Sequence, residues 1–103
     1  MAIVVQNRYF IKPGREQEGL ETRRAASRVR AVEGRPTGRI LCSTGPQEGD
    51  SPTFIWECEY AGLDARQADL DWADGSEAFT AVRRRMGGLL ERFERLTFEV
   101  DQP

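Results

Sequence analysis

The chain has 103 residues, 39% of them hydrophobic and 31% charged. That is the size and mix of one globular domain spanning 1–103, with no apolar run near the ~20 residues that cross a bilayer. Its 15 basic and 17 acidic residues are interspersed and net −2, which removes the usual cationic footprint of a nucleic-acid binder.

Ile3 to Lys12 reads as the first strand. It is rich in β-branched and aromatic residues and stops at Pro13-Gly14. Period two puts Ile3, Val5, Asn7, Tyr9 and Ile11 on one face and Val4, Gln6, Arg8 and Phe10 on the other. Both faces carry apolar residues, so both are expected to be covered. Arg15 to Val32 reads as a helix, with Glu16, Glu18 and Glu21 early and Arg23, Arg24, Arg28 and Arg30 late, as the helix dipole favours. Ala25, Ala26, Val29 and Val32 give it a narrow apolar stripe. The arginines read as a solvated face.

Arg39 to Thr44 and Thr53 to Tyr60 read as a hairpin of two strands, joined by the polar stretch Gly45 to Pro52. On the second of them Phe54, Trp56, Cys58 and Tyr60 share a face, opposite Ile55, Glu57 and Glu59. Leu63 to Ala73 is a short helical piece interrupted at Asp74-Gly75. Ser76 is placed to cap a further helix, in which Phe79, Val82, Met86, Leu89, Leu90 and Phe93 form the strongest amphipathic repeat of the chain. Gly87-Gly88 weakens that helix by ~1 kcal/mol per glycine. Leu96 to Asp101 alternates and closes the chain as a fourth strand.

The order β-α-β-β-α-β in one α+β domain is the ferredoxin-like arrangement, a four-stranded antiparallel sheet with two helices on one face. The other sheet face is then an association surface, and a face-to-face homodimer would bury it. On that face Arg8 is expected to meet Glu57, Glu59 or Glu99, since a buried charge needs pairing.

The chemistry available is narrowed by what is missing. There is no histidine, so no Ser-His-Asp or Cys-His arrangement and no common haem or zinc ligand. Cys42 and Cys58 are too few for a four-cysteine metal site. No phosphate-binding glycine motif occurs. No cofactor, metal, nucleic acid or membrane partner is expected. No charged stretch followed by an apolar one opens the sequence, so a cytoplasmic protein without a secretory signal is expected.

Asn7-Arg8 in the first strand, Lys12-Pro13-Gly14 after it, Glu59-Tyr60-Ala61-Gly62-Leu63, Asp71-Trp72 and Ser76-Glu77-Ala78-Phe79 together resemble the dimeric α/β-barrel superfamily. That group includes antibiotic-biosynthesis-type monooxygenases, haem-degrading monooxygenases, stress-responsive barrel proteins and NIPSNAP-like proteins. Set against the haem degraders, the resemblance places their strand Asn at Asn7, their Trp at Trp72 and their ligating His at Arg83. A guanidinium does not ligate iron, so haem degradation is not expected.

The cofactor-independent monooxygenases of the superfamily remain. They hold an electron-rich aromatic between sheet and helices, and the substrate, as phenolate or enolate, reduces oxygen. The resemblance implies Asn7, Trp72 and Arg83 as catalytic residues: an amide donor, a ring wall with an indole N–H, and a charge that lowers a phenol pKa. Tyr9, Trp56, Tyr60 and Phe79 would bind the substrate. The competing reading makes Trp56 and Trp72 core aromatics and lets Arg83 snorkel to water. The alternative function is a non-catalytic dimeric barrel that binds a small ligand or responds to stress.

Overall fold

The computed structural model describes residues 1–45 and 50–101. The elements run β1 (Ile3–Ile11), α1 (Glu16–Val32), β2 (Arg39–Cys42), β3 (Phe54–Tyr60), α2 (Leu63–Gly75), α3 (Glu77–Gly87) and β4 (Leu90–Glu99). The sheet order is β2-β3-β1-β4 and every neighbouring pair is antiparallel. This is the expected ferredoxin-like fold, with the second helical region divided in two. The stretch joining β2 to β3 falls partly outside the described residues. Among the described residues no helix is long and apolar enough to cross a membrane.

The period-two reading of β1 holds. Ile3, Val5, Tyr9 and Ile11 are buried on the helix side and join Phe54, Trp56, Cys58 and Tyr60 of β3 in the main core. Each apolar side chain of this size contributes about 1.5–3 kcal/mol when fully buried. Ser76 caps α3 as expected, its hydroxyl accepting from the Phe79 N–H at 3.2 Å. The two thiols are free and separated: Cys42 lies opposite Phe54 and Cys58 opposite Val5.

Three expectations are corrected. First, α3 ends at Gly87, so Leu90 and Phe93 belong to β4 and only Phe79, Val82 and Met86 of the repeat are helical. Gly87-Gly88 ends the helix, because two successive glycines cost too much helix propensity to continue. The chain turns there, and the Leu89 N–H donates to the Met86 carbonyl. The strand that follows pairs with the whole of β1, with a bulge opposite Phe10 and Ile11.

Second, the buried stripe of α1 is shifted. Ala26 is buried and Val29 packs partly buried beside it as expected, but Gly19, Thr22, Arg23 and Arg30 also face the protein, whereas Val32 is 87% exposed. Those positions recur at helical spacing just as the expected apolar ones do. What selects them is the sheet. Ile11 lies so close under Gly19 that a Cβ there would stand 2.8 Å from its side chain, and Arg23 and Arg30 each lie 4.7 Å from the Trp56 ring.

Third, Arg8 pairs directly with no carboxylate among the described residues. It donates to Gln6 Oε1 at 3.1 Å, and Gln6 donates to Glu57 Oε1 at 2.8 Å. Arg39 occupies the other oxygen of Glu57. Glu99 stands opposite Ile3, which puts it on the helix side of the sheet, away from Arg8.

Candidate functional site

Between the sheet and the helices lies a cavity of about 260 Å³. Its existence follows from the side chains of α1. Gly19, Thr22 and Ala26 let the helix approach the sheet, and Arg23 and Arg30 span the space beyond them instead of a close-packed aliphatic core. The sheet contributes Asn7, Tyr9, Trp56, Phe93 and Arg95. The helices contribute Arg23, Ala26 and Arg30, then Arg66, Asp69 and Ala73, then Phe79, Val82, Arg83 and Met86. Phe93, Arg83 and Arg95 are exposed and mark the mouth.

Five of the seven residues expected at the site line this cavity: Asn7, Tyr9, Trp56, Phe79 and Arg83. Asn7 Oδ1 accepts from Arg95 Nε at 2.9 Å across the β1–β4 pair. That contact fixes the amide plane and leaves its NH2 as a donor. Tyr9 stacks on Phe54 at 5.0 Å and meets Phe93 edge-on at 5.3 Å. The Trp56 ring carries the Arg23 and Arg30 guanidiniums, each at 4.7 Å, and its indole N–H donates to the Thr37 carbonyl at 2.8 Å. Arg83 donates to the Ala73 carbonyl at 3.2 Å and lies 3.8 Å from Asp74, with its side chain 48% exposed.

Trp72 and Tyr60 are not among the lining residues. The Trp72 indole donates to Glu33 Oε1 at 3.0 Å and its ring packs on Phe79 at 4.8 Å. Glu33 follows the end of α1 and also accepts from Ser76, so Trp72 ties two helix ends together. The Tyr60 hydroxyl donates to Asp69. Burial first, then that hydrogen bond, pushes the Tyr60 phenol above its ordinary range.

Sequence reasoning missed Arg23, Arg30, Arg66, Asp69 and Arg95. Asp69 is fully enclosed and accepts from Arg30 at 2.6 Å, from Arg35 at 3.1 Å and from Tyr60. Burial alone would raise its pKa. The hydrogen bonds from Arg30, Tyr60 and Arg35 outweigh it and hold the carboxylate below its usual range. Arg23 is drawn down, chiefly by burial and further by Arg30. Arg95, exposed as a residue but part-buried where it donates to Asn7, is drawn down by that partial burial and by the like charges of Arg66 and Arg83. Among the described residues, five guanidiniums therefore line a cavity whose one lining carboxylate is already shared. A usable signal was present: Arg23, Ala26 and Arg30 stand at i, i+3 and i+7, one helix face.

Such a site can hold a flat apolar ring in the space lined by Tyr9, Trp56 and Phe79. It can offer it an amide donor from Asn7 and stabilise negative charge. No protein-family model matches the chain, and no curated protein matches it. Solved structures do. A NIPSNAP family protein from Agrobacterium tumefaciens superposes with a TM-score of 0.72 at 22% identity, over 96% of this chain and 92% of the other. A dimeric ferredoxin-like protein of unknown function from Thermobifida fusca gives 0.71 at 16%, over 97% and 92%. A cofactor-independent oxygenase from Streptomyces nogalater gives 0.66 at 16%, over 99% and 95%. The chain thus shares one ferredoxin-like fold with NIPSNAP-like, dimeric and oxygenase structures, as the sequence resemblance implied.

Proposed function

We propose that the protein is a homodimeric α/β-barrel enzyme of the cofactor-independent oxygenase type, acting on a small aromatic or phenolic substrate in the cavity between sheet and helices. The observation that carries the reading is the cavity itself, which combines ring-sized apolar walls, the Asn7 amide and an excess of guanidinium charge. A cationic surround favours the phenolate or enolate over its neutral parent. That anion supplies the electrons for oxygen. Of the two oxygen atoms, one enters the product and the other leaves as water, so the substrate gives up four electrons in all. The protein's part is desolvation, orientation and charge stabilisation.

Asn7 is the residue placed for the reacting oxygen, with Arg95 holding its amide in orientation. Arg83 stands at the mouth, where its charge acts on an entering anion. Trp72, packed against Phe79 from outside the cavity, acts on the substrate only by fixing that wall. The second reading, a barrel that binds a small ligand without turning it over, is favoured by the same Trp72 contact, because the expected three-residue constellation is not assembled around one space.

The test is oxygen uptake by the purified protein with a set of quinols and naphthols. Turnover is expected, and Asn7→Ala should lower kcat by about 100-fold, the usual effect of losing one oriented donor. Tight substrate binding with no oxygen uptake across the set would leave the binding reading in its place.

A further inference from the structure

Arg23 is 4% exposed. Its Nε and Nη2 reach no hydrogen-bond acceptor among the described residues, and no carboxylate among them pairs with it. The one carboxylate on the cavity wall, Asp69, is occupied by Arg30, Arg35 and Tyr60. What Arg23 does touch is the face of Trp56, at 4.7 Å. A charge held away from water without a counter-ion is unfavourable, and Arg24 beside it is exposed, so the helix does not lack a solvent-facing position for an arginine. The unpaired charge makes sense if something entering the cavity completes it.

We propose that the cavity takes an aromatic carboxylate whose acid group pairs with the Arg23 guanidinium while its ring lies in the space lined by Tyr9, Trp56 and Phe79. This rests on the cavity being the ligand site, as above, and names the class of ligand. A guanidinium offers a planar fork of donors that matches the two oxygens of a carboxylate. Nε and Nη2 are buried and without an acceptor among the described residues, and the Arg23 side chain lines the cavity. The volume suits the ligand: a cavity of ~150 Å³ holds benzene, and about 260 Å³ leaves room for a ring with a carboxyl and a further substituent. The mostly aromatic and aliphatic walls favour an organic acid over a bare inorganic anion. At the mouth Arg66, Arg83 and Arg95 add a positive field that draws anions in.

The experiment compares acids with their neutral isosteres on the full chain by calorimetry and Trp fluorescence. The probes are salicylate against salicylamide, and hydroxynaphthoate against hydroxynaphthamide. The acid should bind roughly ten- to a hundredfold more tightly than the amide, the range expected for hydrogen bonds to a charged group. In Arg23→Met the preference should fall to within about threefold, with Tm unchanged or higher, because an unpaired buried charge has been removed. Arg23→Lys, which keeps the charge and loses the fork, should keep part of the preference and guards against a folding failure of the methionine variant. Equal binding of acid and amide, no binding of either acid, phosphate binding as tightly as the acids, or a preference that survives Arg23→Met would each overturn the proposal. Oxygen uptake is a separate readout: acid preference without turnover keeps this inference and ends the oxygenase reading, and turnover of neutral naphthols without acid preference does the reverse.

Discussion

At the level of single residues, Asp69 and Arg23 are opposite cases of buried charge. Asp69 is paired on both oxygens, and Arg30 is left without its carboxylate partner if Asp69 is neutralised. Asp69→Asn should therefore destabilise the protein by about 3–5 kcal/mol, as breaking a buried pair does, whereas Arg23→Met should not. Chemical unfolding of the two variants checks the contrast. The pH dependence has two limbs. Asp69 has a folded pKa below its ordinary value of 3.8, so its contribution is present above that value and is lost as pH falls through the lower folded one. Tyr60 has a folded pKa above its ordinary value of 10.0, so its contribution is present below pH 10 and is lost as pH rises through the higher folded one. Tyr60→Phe should cost about 1–2 kcal/mol near neutrality and flatten the alkaline limb. Stability curves of wild type and variant that run parallel above pH 10 would contradict this.

At the level of elements, the cavity depends on how α1 leaves the sheet and how the chain returns to it. Gly38 lies on the return, with φ +60, and a Cβ there would stand 2.5 Å from the Glu57 carbonyl and 2.7 Å from Trp56 Nε1. Only glycine lets the segment pass over Trp56 closely enough for its indole to donate to Thr37. Gly38→Ala should destabilise the fold by about 2 kcal/mol or more, through backbone strain and a displaced Trp56. The measurement is denaturant unfolding with the Trp emission maximum; a red shift is expected as the ring loses its packing. The end of α3 is the other decisive junction. Because the helix stops at Gly87, β4 is long enough to bring both Phe93 and Arg95 to the cavity.

For the whole molecule, the open sheet face carries Val4, Phe10, Leu41, Ile55, Leu96 and Phe98, with Leu41, Leu96 and Phe98 exposed. Crossing them is the polar chain Arg8–Gln6–Glu57–Arg39. An apolar sheet face with a line of polar groups suits a self-complementary two-fold contact. If the proposed dimer forms through this face, Phe98→Asp should convert it to monomer in sedimentation velocity while leaving the far-UV spectrum unchanged. A wild-type protein that sediments as a monomer at micromolar concentration would remove the dimer from the proposal.

The sequence by itself determined the order of elements and the faces of the strands. Period two in Ile3–Ile11 and in Phe54–Tyr60 is a local property of a pleated backbone, and it assigned each residue of β1 and β3 to its side. Ser76 was legible as a cap because capping is also local. Five of the seven expected site residues follow from that strand phase and from the helix that Ser76 starts. What failed was what depends on the partner surface. Two stripes of α1 have helical spacing, and only the positions of Ile11 and Trp56 decide that Arg23 and Arg30 turn inward while Val32 turns out. Trp72 is drawn to Glu33, a residue 39 positions earlier, through the meeting of two helix ends that no local pattern encodes. The charge of the cavity is likewise a tertiary fact, for Arg23, Arg66, Arg83 and Arg95 come from four separate stretches of a chain whose formal net charge is −2. Folding gathers them on one side of a sheet and gives Asp69 to Arg30 and Arg35, which leaves Arg23 without a carboxylate partner among the described residues.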